Sequence, residues 1–583
     1  MNKNICISVT IMLLAALAGC DMEKYPPDKI SPNTFFNTGN DLKLYTNSFY
    51  SALPSAEGIY NEAADNVVKQ SLGDEIRGIR IVPTSGGGWT WTTLRNINFY
   101  LMNSSKCEDA AARARYDAVA HFFRAYFYFD KVKRFGDVPW YDEVVGDTDV
   151  ERLQKPRDPR TVVVDNILKD INSAIDNLPA DRRINEVTRW TALALKARIC
   201  LYEGTFRKYH TEFNLPGYEA LLDQAADACE ELMTKSGYAL YATGHPESDY
   251  LNLFSSIDAN PTEVILAKGF SDELQVYHNL NYYTMTASYG RPGLEKRLVN
   301  SYLMKDGTRF TDRPGYETMF FTDETKDRDP RLAQTIRTPG YTRIGNTEPL
   351  VQEFGATVTG YQLIKFVSTE KYDTYEKSIT DMPIFRFAEV LLNYAEAKAE
   401  RGALTQGDAD KSVNLVRARA GMPPLVVDDA LAAPDPYLQK QYPHVSGADR
   451  GVILEIRRER RIELVMESLR YDDMMRWKEG ATFMEQFRGM YFPGTGNYDL
   501  DDDGNIDVCL YDGERPVVEG RKVQYLKLNG DVTLEHAVSG CIVINPHIEK
   551  KWDEDKDYLY PIPIQERLLN PNLTQNKGWI DGI

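Results

Sequence analysis

Residues 188–204 read TRWTALALKARICLYEG, and this stretch indicates the kind of fold that the chain adopts. Its periodicity is helical, and three small Ala residues allow a neighbouring helix to approach closely. Residues 383–402 (PIFRFAEVLLNYAEAKAERG) and 408–420 (DADKSVNLVRARA) repeat the arrangement, with an Ala-rich helix that ends in Gly and then a shorter helix. The pattern predicts tetratricopeptide-like helix-turn-helix packing, although its 34-residue period is degenerate.

Further helices are predicted at 111–133, 162–177, 218–234 and 451–477. We interpret the apolar stripe of the first as core packing, and we expect that helix to stop at Gly136. The last of these helices carries four arginines interleaved with glutamates, a pattern that favours an ion-paired structural face over an anion site. The four are Arg457, Arg458, Arg460 and Arg461.

We expect a single helical body over residues 41–583. Its scaffold covers about 41–240 and 380–480, and two stretches rich in Gly, Pro, Tyr, Asp and Thr cover about 241–379 and 490–556. The fold class is therefore all-α dominated, with long irregular loops and minor β structure. Loops held on a rigid scaffold are where binding residues tend to lie.

The N-terminus is predicted to be a lipoprotein signal peptide covering residues 1–19. Lys3 precedes an apolar run that is too short for a comfortable membrane span, and small residues end at Leu17-Ala18-Gly19-Cys20. This segment looks like a bacterial lipobox, so Cys20 is the expected lipidation site. Residues 20–40 would then link the lipid anchor to the body. A transmembrane anchor is the less favoured interpretation.

Composition narrows the possible functions. The 583 residues are 43% hydrophobic and 26% charged, which excludes a disordered or fibrous class. With 86 acidic and 68 basic residues the net charge is -18, which argues against nucleic acid as a partner. The five cysteines after Cys20 include no CxxC pair, so neither a zinc site nor a disulfide framework is implied, and we expect most to be buried.

No catalytic motif appears in the sequence. HExxH, GxSxG, a P-loop and a dinucleotide fingerprint are all missing, and the seven His are scattered. A pair of carboxylates for glycoside hydrolysis stays an open alternative, because no pair among so many acids is singled out. We therefore predict that the protein is not an enzyme.

One loop has the composition of a calcium site. Residues 499–507 read DLDDDGNID, with acids two positions apart and an apolar residue at the place expected in an EF-hand-type loop. The twelfth position is Leu510 rather than the bidentate Glu, so a solvated acidic turn is the alternative. No cofactor is required, and any Ca²⁺ would be structural. The predicted ligands are Asp499, Asp501, Asp503, Asn505 and Asp507.

Eight segments together resemble the SusD/RagB family of outer-membrane lipoproteins, and the likeness runs in order along the mature chain. No single block is specific, whereas all eight in order are. The blocks are 30–54 (ISPNTFFNTGNDLKLYTNSFYSALP), 123–140 (FRAYFYFDKVKRFGDVPW), 189–204, 327–332 (DRDPRL), 383–402, 413–421 (VNLVRARAG), 456–477 (IRRERRIELVMESLRYDDMMRW) and 558–579 (YLYPIPIQERLLNPNLTQNKGW).

The resemblance implies a lipid-anchored outer-membrane protein that faces the cell exterior. Members of the family bind nutrients, mostly glycans, without hydrolysing them, and sit as a lid on a SusC-like TonB-dependent transporter. The leading hypothesis is therefore a surface glycan-binding lipoprotein that delivers oligo- or polysaccharide to such a transporter. The alternatives are a RagB-like protein that binds peptides and, less favoured, a helical-repeat scaffold that binds only other proteins.

Two loop clusters have the composition of a sugar site. Aromatic rings stack on the apolar face of a sugar, while Asn, Asp, Arg or Gln bond its hydroxyl rim. The first cluster surrounds three consecutive glycines and consists of Arg77, Arg80, Trp89 and Trp91. The second consists of Tyr277, Asn281, Tyr282, Tyr283, Tyr289 and Arg291. We expect at least one of the two to line the site, and loop packing is the alternative for any single residue.

Overall fold

The computed structural model describes residues 35–62, 64–520 and 522–581. It is 43% helical and 9% strand, which confirms the predicted all-α-dominated class with minor β structure. The signal peptide, Cys20 and the first part of the linker lie outside the described residues. Among the residues described, no helix has the length and apolarity needed to cross a membrane.

The described part of the chain contains twenty-one α-helices, which are numbered here in chain order. They are α1 (Gly39–Asn47), α2 (Ala56–Tyr60), α3 (Asp74–Arg77), α4 (Thr92–Asn103), α5 (Ala110–Phe135), α6 (Val150–Leu153), α7 (Arg160–Asn177), α8 (Arg189–Tyr209), α9 (Tyr218–Lys235), α10 (Asp249–Ser255), α11 (Leu280–Met285), α12 (Lys296–Ser301), α13 (Phe321–Glu324), α14 (Phe387–Glu400), α15 (Gln406–Asp410), α16 (Val413–Arg419), α17 (Val427–Ala432), α18 (Pro436–Gln441), α19 (Arg450–Glu463), α20 (Arg470–Arg476) and α21 (Ile564–Leu569).

The scaffold is an array in which α5, α7, α8, α9, α14 and α19 pack side by side in that order. Helix α5 is capped by Asp109, whose carboxylate accepts from the main-chain N–H groups of Ala111 and Ala112, and it stops before Gly136, as predicted. Helix α8 begins at a capping box on Thr188 but runs past Gly204, where we expected it to end. Gly204 instead lets α9 approach, since a Cβ there would lie 2.9 Å from the side chain of Leu222.

Together with several short 3-10 turns, the described residues also form nine short strands. They are β1 (Val67–Val68), β2 (Val264–Lys268), β3 (Gly293–Leu294), β4 (Met382–Arg386), β5 (Arg488–Phe492), β6 (Gly496–Tyr498), β7 (Val508–Tyr511), β8 (Gln524–Lys527) and β9 (Gly540–Val543). They pair as β1–β3, β2–β4, β5–β9 and the three-stranded sheet β6–β7–β8, in which only β7 and β8 run parallel. Most of the strands lie in or at the edge of the two stretches predicted to be loop-rich, whereas β1 lies in the first scaffold block and β4 opens the second.

Three of the predicted helices are wrong in part. The helix expected over 408–420 breaks at Ser412 into α15 and α16. The start of 383–402 is strand β4, because Pro383 to Arg386 pair with β2, and the helix begins only at Phe387. The single helix expected over 451–477 breaks into α19 and α20. Met466 and Ser468 take left-handed φ angles of 64° and 60° between them, which no continuous helix allows.

The arginines of α19 are ion-paired, as predicted, but they are buried rather than on a helix surface. Most of their partners come from other elements rather than from the same helix. The pairs are Arg457 with Glu400 and Glu479, Arg458 with Asp435 and Glu455, Arg460 with Asp473 and Glu396, and Arg461 with Asp65. These pairs join distant parts of the chain around α19. The cysteines at 107, 200, 229, 509 and 541 are unbridged, and all five are buried, as predicted for most of them.

Candidate ligand-binding surfaces

The first predicted cluster lies where the loop before α4 packs against α5. Trp89 is only 4% exposed, and its ring centroid lies 4.9 Å from that of Phe135 in the core. The preceding glycines all have positive φ, and a Cβ on Gly88 would lie 2.7 Å from Nε of Arg134. Gly88 therefore allows a tight approach of the loop to α5, and the three glycines do not keep Trp89 out of the core.

The arginines of this cluster hold the C-terminal segment. Arg80 is buried, bonds Asp557 through its guanidinium and lies 4.4 Å over the ring of Tyr560. The main-chain oxygen of Arg77 accepts from the N–H of Lys551 at 2.9 Å. Both positions therefore fasten residues 551–560 to the body.

Trp91 lines the side of a cavity of about 630 Å³ between α4, α6 and α21. Most of the cavity wall is apolar. Two of its amides are already used: Asn98 donates to the carbonyls of Tyr141 and Glu143, and Asn570 donates to those of Leu153 and Lys155. Arg95, Gln154 and Glu566 also line the wall, so the cavity is a mainly apolar surface with a few polar groups at its edge.

The second predicted cluster forms a row of rings at the surface, which we call the tyrosine row: Tyr289, Tyr283, Tyr282 and Tyr375. Tyr283 and Tyr289 are stacked, with centroids 4.2 Å apart and planes 14° apart. Tyr282 stands at 47° to Tyr283, 6.1 Å away, and Tyr375 lies 5.7 Å beyond it and is 54% exposed. Contiguous, solvent-facing rings of this kind are a surface on which a sugar can stack.

The row is held by contacts behind it. Tyr282 and Tyr283 lie on α11, which is anchored to α2 by a 2.7 Å hydrogen bond between the hydroxyls of Thr284 and Tyr60. Tyr289 closes the next turn, where the carbonyl of Gly290 accepts from the N–H of Gln70. Pairing of β1 with β3 thus brings the chain near Lys69 against Tyr289.

Both faces of Tyr289 are covered, whereas Tyr283 is partly buried and, among the described residues, has a stacked ring on one face only. The Lys69 ammonium lies 3.8 Å from the centroid of Tyr289, and the stacked Tyr283 ring lies at 4.2 Å. Two groups at such short distances must lie on opposite faces. The outer face of Tyr283, beside the tilted Tyr282 ring, is therefore the stacking position that the geometry offers.

The remaining predicted residues of the second cluster have different positions. Asn281 is fully buried. Its amide nitrogen donates to the carbonyl of Thr369 and to the carboxylate of Asp373, and its amide oxygen accepts from the N–H of Ser368. Tyr277 lies under Lys377, which is 5.1 Å from its ring centroid. Asn281 thus supports the surface from behind.

Arg291 lies on the far side of Gly290 in a neighbouring groove of about 310 Å³, which it lines with Gln70, Asp531 and His547. Its guanidinium donates to the carbonyls of Phe354 and Thr357. Across the described ranges, no hydrogen bond, ion pair or ring contact joins the first cluster to the second. They are two separate surfaces.

Electrostatics distinguish the ends of the row. Partial burial and the Glu57 carboxylate raise the pKa of both Tyr283 and Tyr289, so their phenols stay protonated as donors at neutral pH. Burial lowers the pKa of Lys69 to about 8. Glu57, Lys69 and Tyr375 escaped the sequence analysis because each is far along the chain from residues 277–291. Only the pairing of β1 with β3 and the 375–378 loop bring Lys69 and Tyr375 there.

The predicted calcium loop connects β6 to β7. One carboxylate oxygen each of Asp499, Asp501 and Asp507 lie within 4.8 Å of one another. Asp503 and Asn505 bond each other at 2.8 Å. Burial, together with the carboxylates of Asp507 and Asp503, raises the pKa of Asp501 to about 6. Three converging hard oxygen donors suit Ca²⁺ chemically, although exposed acidic turns can have the same geometry.

Most of the chain matches models of known protein families. Residues 262–579 match the model described as the SusD family, and residues 91–201 match a model described as starch-binding and associating with the outer membrane. SusD-like protein P2 of Formosa agariphila is 25% identical over 504 residues, which cover 81% of this chain and 90% of that protein. SusD-like protein P38 of the same organism is 24% identical, with 84% and 94% covered.

Solved structures share the fold. A SusD-like protein from Bacteroides fragilis superposes with a TM-score of 0.69 at 22% identity, covering 95% of this chain and 100% of that one. A SusD-like carbohydrate binding protein from the same species gives 0.68 at 22% identity, with 93% and 100% covered. At this identity the likeness establishes the architecture of the helical scaffold and its loops.

Proposed function

The chain belongs to the SusD family, and from that premise we propose that it is a cell-surface lipoprotein that binds oligo- or polysaccharide without hydrolysing it. We further propose that Cys20 carries its lipid and that it delivers the glycan to a SusC-like TonB-dependent transporter in the outer membrane. Support comes from the family model described as starch-binding and associating with the outer membrane, and from the relative described as carbohydrate binding.

The tyrosine row is the proposed binding surface, and it is the observation that carries the proposal. Its four rings follow one another at 4.2 to 6.1 Å, and Tyr375 at its outer end is more than half exposed. Stacking of a sugar on Tyr283 should contribute about 0.5–1.5 kcal/mol, by analogy with aromatic pairs. A few such contacts give micromolar to millimolar affinity, which permits transfer to a partner.

Binding without turnover fits the chemistry of the row. Hydrolysis of a glycosidic bond needs two carboxyl groups on opposite sides of the bond, roughly 5–10 Å apart. The row presents phenol rings, and Glu57 is the carboxylate that interacts with Tyr283 and Tyr289. Phenols that stay protonated can donate to sugar hydroxyls but supply neither a nucleophile nor a general acid of suitable pKa.

Calcium at 499–507 is a second proposal, independent of the first. The loop joins two strands of the β6–β7–β8 sheet, and Gln524 of β8 bonds the main chain of Gln352 and Phe354. Bound Ca²⁺ would relieve the repulsion that raises the pKa of Asp501 and would stiffen this sheet. We propose a structural role for it.

Glycan binding is tested with the purified protein against matched panels. Affinity gel electrophoresis over neutral and acidic polysaccharides, followed by calorimetry with oligosaccharides, should give saturable binding without product release. A parallel panel of extended peptides tests the RagB-like alternative, since a peptide cleft has to satisfy main-chain groups. Binding of peptides only, or release of shorter sugars, would contradict the proposal.

The transporter is tested separately. A TonB-dependent receptor should co-purify with the protein from mild detergent extracts of the cells that express it. The Cys20→Ala variant should be released from the membrane. Retention of the Cys20→Ala variant in the outer membrane would refute the lipid anchor.

A further inference from the structure

Lys69 lies beside the tyrosine row, and among the described residues it has no carboxylate partner. Its Nζ donates to the side-chain oxygen of Asn61 at 2.8 Å and lies 3.8 Å over the ring of Tyr289. In the part of the chain that the structure describes, no carboxylate oxygen lies within 4 Å of it. An ammonium has three N–H donors, so after Asn61 and the ring one donor is available to a ligand.

Most other partly or fully buried lysines in the described part of the chain have counter-ions. Lys133, Lys208, Lys296 and Lys365 each lie 2.6–2.7 Å from a carboxylate, those of Asp472, Glu400, Glu324 and Glu467 respectively. Among those without one, Lys131 and Lys550 donate to a main-chain carbonyl, and Lys196, like Lys69, donates to a side-chain amide. What distinguishes Lys69 is its position against the exposed rings of the tyrosine row.

A partly desolvated cation without a counter-ion costs free energy unless an anion arrives to pair with it. Burial lowers the pKa of Lys69 to about 8, so the side chain is still mostly charged at neutral pH. In a protein of net charge -18, an uncompensated cation next to the proposed binding surface is the group that a negatively charged ligand would meet.

We propose, resting on the function proposed above, that the row selects acidic glycans, with an anionic sugar substituent bound at the Lys69 ammonium and a neutral unit stacked on Tyr283. The shared chemistry is a negatively charged oxygen, which a uronic acid carboxylate or a sulfate ester can supply. An anionic oxygen adds charge–charge attraction to the hydrogen bond that the ammonium donates, which gives the anion an advantage over a neutral hydroxyl at the same place.

The geometry adds a requirement for chain length. Two stacked rings, Tyr289 and Tyr283, separate the Lys69 ammonium from the free face of Tyr283. A single sugar on that face therefore cannot also reach Lys69, and an oligosaccharide running along the ring edges is needed to contact both. Glu57, which interacts with Tyr283 and Tyr289, would repel a second anionic unit near them. The row thus favours one anionic unit at the Lys69 end.

The test uses pairs of ligands that differ only in charge. Uronate-containing oligosaccharides are compared with their carboxyl-reduced forms, and sulfated ones with their desulfated forms, by calorimetry on the full-length mature protein. We expect at least one acidic member to bind about tenfold more tightly than its neutral counterpart. A preference in the uronate pairs would indicate that the site binds a carboxylate, and a preference in the sulfated pairs would indicate that it binds a sulfate ester. The preference should shrink as salt rises and should be lost for monosaccharides.

Variants test whether the preference for acidic glycans comes from the Lys69 ammonium. Lys69→Gln should bring the acidic-to-neutral affinity ratio close to one, Lys69→Arg should retain most of it, and Glu57→Gln should raise affinity for glycans with acid on every unit. Thermal unfolding checks that each variant is folded. Equal affinity of the wild type for the two members of every pair, or an unchanged ratio in Lys69→Gln, would overturn the inference while leaving glycan binding intact. If the wild type binds no glycan at all, the proposed function fails with it.

Discussion

Replacing Arg386 with Met should destabilise the scaffold strongly, because this guanidinium joins three carboxylates in the interior. Its Nε donates to Glu467 at 2.6 Å, one terminal nitrogen donates to Glu263 and Glu463, and the other to Glu467 and the Glu463 carbonyl. All five N–H donors are thus used. The side chain is 2% exposed, so no water replaces these bonds.

The magnitude follows from what the variant leaves behind. Glu463 keeps Arg331 and Arg419 as partners, Glu467 keeps Lys365, and Glu263 keeps Arg419 at 3.7 Å, so each of the three carboxylates retains a cation nearby. Removing one partner from a buried ion pair costs about 3–5 kcal/mol, and we expect Arg386→Met to fall in that range. Arg386→Lys keeps the charge but loses the planar fork, and about 1–3 kcal/mol is expected.

Chemical denaturation followed by far-UV circular dichroism measures these losses as shifts of the transition midpoint at constant slope. The same network should also weaken in acid. The pKa of Glu463 is held below its usual range, against the cost of burial, by Arg419, Arg386 and Arg331, and that of Glu467 by Arg386 and Lys365. Folded-state pKa values below the unfolded ones mean that this stability is present above about pH 4.5 and is lost as pH falls further. A loss below about 1 kcal/mol for Arg386→Met would refute the reasoning.

Three further predictions concern packing, calcium and the first cluster. Gly204→Val should cost about 1–3 kcal/mol by forcing α8 away from Leu222, seen as a lower denaturation midpoint; no change would mean that the helices are not in close contact. Added Ca²⁺ should raise the unfolding midpoint at pH 7.5 but hardly at pH 5, because at pH 5 Asp501, with a pKa of about 6, is mostly protonated. Asp501→Asn should remove the effect of Ca²⁺ at pH 7.5. A shift that is absent, or that is the same at both pH values, would contradict the calcium site. Without the ion, the raised pKa makes the loop less stable as pH rises from about 4 to 6, and only modestly so because Asp501 is partly exposed. Trp91→Ala should cost roughly 2–4 kcal/mol of stability through lost ring packing yet leave glycan affinity unchanged, whereas a tenfold weaker affinity would move the site to the first cluster.

The scaffold could be predicted from the sequence because local signals agree with the tertiary structure. Helix α5 has a cap before it, an apolar stripe along it and Gly136 after it, and all three act as expected. Failures occurred where tertiary contacts override local preference. Residues 383–386 pair with β2 despite their helical neighbours, and the helix after Glu463 breaks so that Glu467 can reach Arg386 and Lys365.

The candidate site was predictable only in part. The concentration of tyrosines at 282–289 marks an exposed aromatic surface, whereas nothing local shows that Asn281 faces inward or that Trp89 enters the core. Tyr375 and Lys69 join the row through contacts between segments that are far apart in the chain. Periodicity and composition describe neighbours within a segment, so such residues are found only once the chain is folded.

The most direct test of the account is the glycan affinity of Tyr283→Ala, measured by calorimetry with an oligosaccharide that the wild type binds. Tyr218→Ala, at the first residue of α9 and away from the row, is the matched control. Loss of one stacking face should weaken binding roughly two- to tenfold, with the control unchanged and both variants folded. Wild-type affinity in Tyr283→Ala would show that the glycan binds elsewhere and would contradict the tyrosine row as the binding surface.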